Sequence, residues 1–442
     1  MKLLIEPLLP SNNEVNIYLK GAKNALLPIL FSTPLLDGET RIKNAPISIK
    51  DYHSSKLILQ SIGLNVSNSM HDILITNTNS LKQNSLPSHL SEKTRCSLYL
   101  LGSLVKRMGK VEIGLPGGCS FGVNRKFDFH LKGLQALNAK VYIQNNIIHI
   151  EHVKDIDTSF KLSFPSVGAT SNLILYSCLG DSEVIINNCA IEPEICSLVD
   201  FLNNCGANIC FDRIERQVQI KGANNLYGTN VSLISDRIQI MTYVALAIMH
   251  RKRLHLHSID SLEYISLPLG YLKDKGLQYT FNSNTNILTV YADKLLNYEG
   301  FNIKCGPYPK FPTDLQPIFF ALGLLALTPT EIIDPVIPDR SVYIDEIKKL
   351  GYDVNSNGKM LFCNPGTKKN IKIAQSLMCP DLRGGMACIM AASLEKRGVL
   401  IEGSDQVFRG YEDLIKNLSC FMKVTPYDNQ EYTNEVMDKM VV

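Results

Sequence analysis

Two periods of apolar residues take turns along the chain. Segments rich in small and apolar residues read as buried helices, and short runs of strict apolar/polar alternation read as half-buried strands. One junction recurs six times: a helix-like segment ends in a small turn and an alternating strand follows. The copies are residues 61–66, 136–141, 204–209, 274–279, 349–354 and 419–424. Their turn positions are Gly63, Asn138, Gly206, Gly276, Gly351 and Phe421, at near-constant intervals. Gly and Asn accept the left-handed backbone that ends a helix, so Phe421 marks a repeat that turns differently.

Each turn has a second strand upstream, at 41–43, 111–113, 184–186, 254–256, 331–333 and 399–401. Further upstream, helix openings are predicted near Lys23-Asn24, Arg95-Cys96, Ala169-Thr170, Asp236-Arg237, Thr313-Asp314 and Leu382-Arg383. Each repeat is therefore expected to run strand, helix, strand, helix, strand. The class is α/β (α+β), with six βαβ-type repeats. The period exceeds that of the common solenoids, and six copies fit two pseudo-threefold domains better than one open array.

Length agrees, since 442 residues exceed one ordinary core. Lys and Arg total 45 against 42 Asp and Glu, a net charge of +3, which does not suggest a nucleic-acid or membrane-surface protein. The 12 cysteines are scattered, with no CxxC or zinc spacing, and are expected to be reduced thiols. The N-terminus is too short and too acidic for a signal peptide. The longest apolar run, 315–327, falls short of the ~20 residues that span a bilayer. A cytoplasmic setting is expected, with a frayed tail over 430–442.

Charge matters more where it sits. Lys23, Arg95 and Arg383 stand at helix openings, and Arg237 follows Asp236. A helix N-terminus is already electropositive, so cations there are misplaced for stability. Either they serve an anionic ligand, or each points to solvent or pairs with a neighbouring acid.

Four segments suggest chemistry. In the Gly-rich loop 114–122, Cys119 lies near Arg125 and Lys126, and cationic neighbours favour a reactive thiolate; an idle structural turn is the alternative. Gly118, Ser120 and Gly122 also match a hydrolase elbow, but Asp128 and His130 are too close to complete a triad. In 306–316, Asp314 is either a general base or, like Thr313, a helix cap. Asp381 and Arg383, with Arg409 downstream, are either an anion site or a cap and a turn. Ser166, Val167 and Gly168 can offer backbone N–H groups and a hydroxyl to a phosphate. Neither a P-loop nor GxGxxG occurs. His255 and His257 alternate on one strand face and read as structural rather than as metal ligands.

Taken together, these segments resemble the enolpyruvyl transferase family. The carrying segments are Gly21-Ala-Lys-Asn-Ala25, Arg95-Cys-Ser97, Leu115-Pro-Gly-Gly-Cys119, His130-Leu-Lys-Gly-Leu134 and Pro165-Ser-Val-Gly-Ala-Thr170. They continue with Glu192-Pro-Glu194, Asp236-Arg-Ile238, Pro307-Tyr-Pro309, Phe311-Pro-Thr-Asp-Leu-Gln316, Asp381-Leu-Arg383 and Arg409-Gly-Tyr-Glu412. The resemblance implies two domains of three repeats each. Residues 1–22 with 234–442 would form a discontinuous domain carrying Asp314, Arg383 and Arg409. Residues 23–233 would form the domain of the Cys119 loop and the nucleotide-contact segment.

It further implies transfer of enolpyruvyl from phosphoenolpyruvate to the 3′-hydroxyl of UDP-N-acetylglucosamine with release of phosphate, a step of peptidoglycan precursor synthesis. In that reading Cys119 donates a proton and Asp314 accepts one, with Lys23 and Arg409 also catalytic. Lys23, Arg95, Arg125, Arg383 and Arg409 hold phosphate and carboxylate. Asn24, Asp128 and Arg340 match substrate contacts, and Ser166, Val167 and Gly168 receive the diphosphate. Asp381 would orient an Arg or the Cys loop. No metal or organic cofactor, nucleic acid or membrane is implied, and the oligomeric state stays open. The chain departs from the family pattern in one extra residue between Gly122 and Arg125 and in Lys126 for a proline. Phe164-Pro165 stands where some members have a Lys. Alternatives are another uridine nucleotide or shikimate 3-phosphate as acceptor, a non-catalytic nucleotide-sugar-binding paralogue, and a Ser120 hydrolase.

Overall fold

The computed structural model describes residues 1–8, 13–69, 72–77, 81–117, 127–368 and 374–427. Cys119, Ser120, Arg125 and Lys126 therefore lie outside the described residues. The chain divides into two units, each taken over its described residues: Met1–Leu19 with Arg237–Val442, and Lys20–Gly118 with Asn124–Asp236.

In the second unit one repeat shows the plan of all. Strand Thr158–Lys161 leads into helix Val167–Ser177, and strand Glu183–Asn187 returns parallel to the first. Helix Pro193–Asn204 follows, then the hairpin Asn208–Asp212 and Gln217–Lys221. The last strand slots antiparallel beside Glu183–Asn187, giving the order first, second, fourth, third. A neighbouring sheet repeats this with Ser85–Leu86, Lys110–Gly114, Ile147–His152 and Ala139–Gln144. In the remaining sheet, Leu226–Tyr227 and Asn230–Ser232 run parallel to Leu36–Lys43 and supply the first strand. The unit thus closes on itself.

The first unit follows the same plan. Glu14–Tyr18 is the parallel partner of Arg253–His257. Asn302–Lys304 pairs with Thr330–Ile333, and Ser376–Met378 with Val399–Glu402. Lys2–Pro7 fills the fourth place of that last sheet, between Val399–Glu402 and Met422–Tyr427. Among the described residues there are six such sheets, three in each unit. The sequence predicts one strand after each turn; in five repeats the structure has a hairpin of two, and in the last the second strand is Lys2–Pro7.

The helices are of two kinds. The first helix of a repeat is largely apolar and buried, as a core helix must be, although Leu100–Met108 carries Lys106 and Arg107 in its last turn. All thirteen residues of Arg237–Met249 are buried, as are the eleven of Leu382–Ala392. The second helix is amphipathic: Lys50–Ser61 buries Asp51, Tyr52, Ser55, Ile58 and Leu59, one face at helical spacing. Gly63, Asn138, Gly206, Gly276 and Gly351 all take positive φ, from 65° to 110°. Phe421 is not among the positive-φ residues, and its N–H donates to Leu418 O at 2.8 Å to close a tight turn instead.

The buried helix Arg237–Met249 ends at His250, whose Nε2 lies 3.0 Å from Ser393 Oγ and whose ring faces Phe421. Burial, with Lys252 nearby, pushes this imidazole down to about 4. Folded His250 therefore stays neutral where the unfolded chain takes up a proton, so acid favours unfolding. This contribution is flat above the unfolded value of ~6.5 and falls as pH drops from there toward 4. Urea unfolding at pH 5.0 and 7.5 is expected to show a loss on the order of 2 kcal/mol from this group. His250→Gln should remove most of that difference, and an undiminished difference in the variant would refute the assignment.

Candidate active site

In the first unit the starts of the three buried helices converge. Thr313–Leu315 forms a 3-10 turn that opens helix Gln316–Gly323. The Asp314 side chain does not cap that turn. Its Oδ1 accepts from Arg340 Nη1 at 2.8 Å, and its Oδ2 lies 3.7 Å from Arg383 Nη2. Arg340 also donates to Thr313 O at 2.6 Å, and Thr313 Oγ1 donates to buried Asp334 at 2.5 Å. The Arg340 and Arg383 side chains are 5% and 3% exposed, and that of Asp314 is 28% exposed. Two guanidinium groups this dry need counter-charges, because removing a partner leaves a buried charge that costs several kcal/mol. Asp314 is the charged member of this trio that reaches solvent.

Arg383 is fixed from its other sides as well. It is the second residue of helix Leu382–Ala392, where Asp381 Oδ1 caps by accepting from Arg383 N at 2.8 Å and Gly384 N at 3.1 Å. Its guanidinium lies 5.2 Å from the Tyr411 ring, and Tyr411 OH is 3.1 Å from Thr242 Oγ1 on the third buried helix. Asp381 is thus a cap that also sets where Arg383 begins. Arg237 opens that third helix, 5.8 Å from the Tyr308 ring. Arg409 ends the turn Ser404–Arg409, half-buried, with Nη1 donating to Gln406 Oε1 at 3.2 Å.

The second unit holds the other residues singled out in the sequence. Lys23 begins helix Lys23–Ser32; its Nζ donates to Asp51 Oδ2 at 3.0 Å and its backbone N lies 3.4 Å from Asp236 Oδ2. Asp51 and Asp236 are both buried. Here the cation at a helix start does pair with an acid, though one on the next helix, Lys50–Ser61. Asn24 follows, partly exposed. Arg95 opens the turn Arg95–Tyr99, capped by Thr94, and that turn packs on helices Lys23–Ser32 and Val167–Ser177. Ser166 caps the latter helix, its Oγ accepting from Ala169 N at 3.4 Å. Gly168 faces His130, where an added Cβ would lie 3.0 Å from Nε2. His130 Nδ1 is in turn 3.1 Å from Asn172 Nδ2. Asp128 opens the helix Asp128–Ala136 and pairs with Lys132 at 3.3 Å.

Asp51 and Asp334 are supports of the site that the sequence reading does not single out, while Tyr411 falls in the segment Arg409–Glu412 without its role toward Arg383 being legible. No local spacing announces them, because each serves a residue on another element. Among the described residues, no group of three or more His, Cys, Asp and Glu is placed to hold a metal. His257 instead stacks on Tyr18, and His255 Nδ1 lies 3.0 Å from Thr289 Oγ1. Burial pushes Cys189, Cys205, Cys363 and Cys379 up to about 12, so these thiols are inert near neutral pH. No helix of the described residues is long and apolar enough to cross a membrane.

Chemically, the first unit presents a carboxylate held by two guanidinium groups, able to take a proton while its neighbours hold an anion. The second carries Lys23, Arg95 and the Ser166-capped helix start on elements that pack together, groups of a kind that suit an anion.

Known proteins resemble this chain in sequence and in fold. The protein named UDP-N-acetylglucosamine 1-carboxyvinyltransferase in Pelagibacter ubique is 36% identical over 404 residues, covering 91% of this chain and 94% of its own. One of the same name, numbered 2, from Caldanaerobacter subterraneus is 34% identical over 92% and 94%. That of Halothermothrix orenii is 31% identical over 95% and 97%. Among solved structures, the enolpyruvyl transferase NikO from Streptomyces tendae superposes with a TM-score of 0.85 at 18% identity, covering 96% of this chain and 98% of that one. An EPSP synthase from Acinetobacter baumannii gives 0.71 at 15% identity, over 96% and 100%. The family model for EPSP synthase (3-phosphoshikimate 1-carboxyvinyltransferase) matches residues 10–418. With most of its length matched, this chain belongs to the EPSP synthase (3-phosphoshikimate 1-carboxyvinyltransferase) family, the enolpyruvyl transferases.

Proposed function

We propose that the protein transfers the enolpyruvyl group of phosphoenolpyruvate to the 3′-hydroxyl of UDP-N-acetylglucosamine and releases phosphate, a step of peptidoglycan precursor synthesis. The observation that carries this is the likeness, at 31–36% identity over nine-tenths or more of both chains, to proteins bearing that activity in their names.

The chemistry is an addition followed by an elimination. The sugar hydroxyl oxygen bonds to C2 of phosphoenolpyruvate, and the C2–C3 double bond takes a proton at C3. A proton then leaves C3, the double bond reforms, and the bond from C2 to the phosphate oxygen breaks. Asp314 is assigned the hydroxyl proton, because it is the solvent-reaching carboxylate between the two guanidinium groups. Cys119, outside the described residues, is assigned the proton at C3. Lys23, Arg95, Arg125, Arg383 and Arg409 are assigned to the phosphate and carboxylate, where full charges stabilise the tetrahedral adduct. Asn24, Asp128, Arg340 and the segment Ser166 to Gly168 are assigned to the acceptor, and Asp381 to the placement of Arg383. The two units are taken as the two domains of the enzyme.

A phosphate-release assay with phosphoenolpyruvate tests the acceptor. Release with UDP-N-acetylglucosamine, and none with shikimate 3-phosphate, is the expected result. Shikimate 3-phosphate is the second acceptor to try, because the matched family model carries that activity in its description. Release with it alone would overturn the proposal in favour of that reading.

A further inference from the structure

Asp334 is a buried carboxylate that the chemistry above leaves unused. It follows strand Thr330–Ile333 directly and is 2% exposed. A carboxylate this dry needs donors on its oxygens. Oδ1 accepts from Val336 N at 3.0 Å and from Ile337 N at 3.3 Å, which closes the start of the loop leading to Arg340. The far end of that loop is closed by Arg340 N, which donates to Ile337 O at 3.1 Å. Oδ2 accepts from Thr313 Oγ1 at 2.5 Å, in the 3-10 turn Thr313–Leu315. One side chain thus holds both segments that form the Asp314–Arg340 pair: the loop that ends at Arg340 and the chain neighbour of Asp314.

The direction of the Thr313 hydroxyl is fixed by its neighbours. It has one hydrogen, and Arg340 Nη1, 3.2 Å from Oγ1, can only donate, so the hydrogen goes to Asp334. The same Nη1 donates to Thr313 O at 2.6 Å and to Asp314 Oδ1 at 2.8 Å. The guanidinium nitrogen that holds the base is therefore set against Thr313 on two atoms, and Thr313 is set by Asp334. Closing the loop does not by itself call for an aspartate. An asparagine carbonyl would accept from Val336 N and Ile337 N as well. Its amide nitrogen would then offer Thr313 Oγ1 a donor where that hydroxyl needs an acceptor. The second carboxylate oxygen is what the loop leaves unexplained.

We propose that Asp334 is a positioning residue for the reaction: through Thr313 and the loop to Arg340, it fixes where Arg340 presents Asp314 to the acceptor hydroxyl. The inference rests on the assignment of Asp314 as the base and deepens it. Asp334 touches no substrate and acts only through that pair.

Steady-state phosphate release by the full chain, with phosphoenolpyruvate and UDP-N-acetylglucosamine, tests this. Asp334→Asn is expected to lower kcat by roughly tenfold to a hundredfold, the scale of a small misplacement of a reacting group, with KM for phosphoenolpyruvate changed by about threefold at most. Thr313→Val, which removes the hydroxyl at nearly constant shape, should lower kcat by a similar factor. Thr313→Ser, which keeps the hydroxyl, should stay within about threefold of wild type. In an Asp314→Asn background the kcat effect of Asp334→Asn should shrink to about twofold or less, because the group it places is gone. The same loss in both backgrounds would overturn the proposal, as an effect on the fold at large. Wild-type kcat in both Asp334→Asn and Thr313→Val would overturn it as well. Wild-type activity in Asp314→Asn would overturn the base assignment beneath it, and no release by the wild type would overturn the proposed function.

Discussion

Asp314→Asn is expected to lower kcat by about a thousandfold while KM for either substrate changes by a few-fold, within the range for loss of a general base. The amide keeps the shape of the carboxylate and can still accept from Arg340, so the scaffold survives. It can no longer take the hydroxyl proton or neutralise the two guanidinium groups. Arg340 retains Thr313 O at 2.6 Å and, through Thr313, the carboxylate of Asp334. Unfolding should therefore shift by about 1–2 kcal/mol rather than the roughly 3–5 kcal/mol of a fully orphaned buried charge. Steady-state phosphate release and urea unfolding on the same preparation separate the two effects. Activity within threefold of wild type would remove Asp314 from the chemistry.

Cys119→Ala is expected to reduce phosphate release by about a hundredfold to ten-thousandfold, the contribution of a positioned acid. Cys119→Asp, which restores a proton donor of similar reach, should recover part of the activity. The buried thiols offer no substitute, since burial holds those of Cys189, Cys205, Cys363 and Cys379 protonated. An alkylating epoxide phosphonate that mimics phosphoenolpyruvate should label Cys119 ahead of exposed Cys210, because its phosphonate directs it to the substrate site. Labelling of another cysteine first, or full activity of Cys119→Ala, would assign the acid elsewhere.

What the sequence discloses follows from the physics of each feature. The six-fold repeat is legible because a left-handed residue after a helix admits few side chains, and Gly63, Asn138, Gly206, Gly276 and Gly351 all occupy that conformation. Helix openings at Lys23, Arg95, Arg237, Thr313 and Leu382 are legible because basic or capping residues precede runs too apolar for any place but a core. The return strand of each hairpin is not, although Asn145 and Asn146, both with positive φ, mark one of the turns. Tight turns leave little sequence between paired strands, and two short alternating runs read as one. In the last repeat no local pattern could show it, because the strand that sits beside Val399–Glu402 is Lys2–Pro7, from the opposite end of the chain.

The site is legible only in its first layer. Asp314, Arg383 and Lys23 stand out as charged residues at the openings of apolar helices. Their supports do not: Asp51 and Asp334 lie on other elements, far along the chain from the groups they serve. Arg340, equally remote from Asp314, is reached only through the family resemblance. For Asp381 the sequence admits either a cap or an orienting group. It is a cap, and by capping it fixes the first residues of the helix that carries Arg383.

Mass spectrometry of the acceptor tests the central claim most directly. After incubation with phosphoenolpyruvate, UDP-N-acetylglucosamine should gain the mass of one enolpyruvyl group for each phosphate set free. An unchanged sugar nucleotide beside released phosphate, or a gain only on shikimate 3-phosphate, would contradict the account.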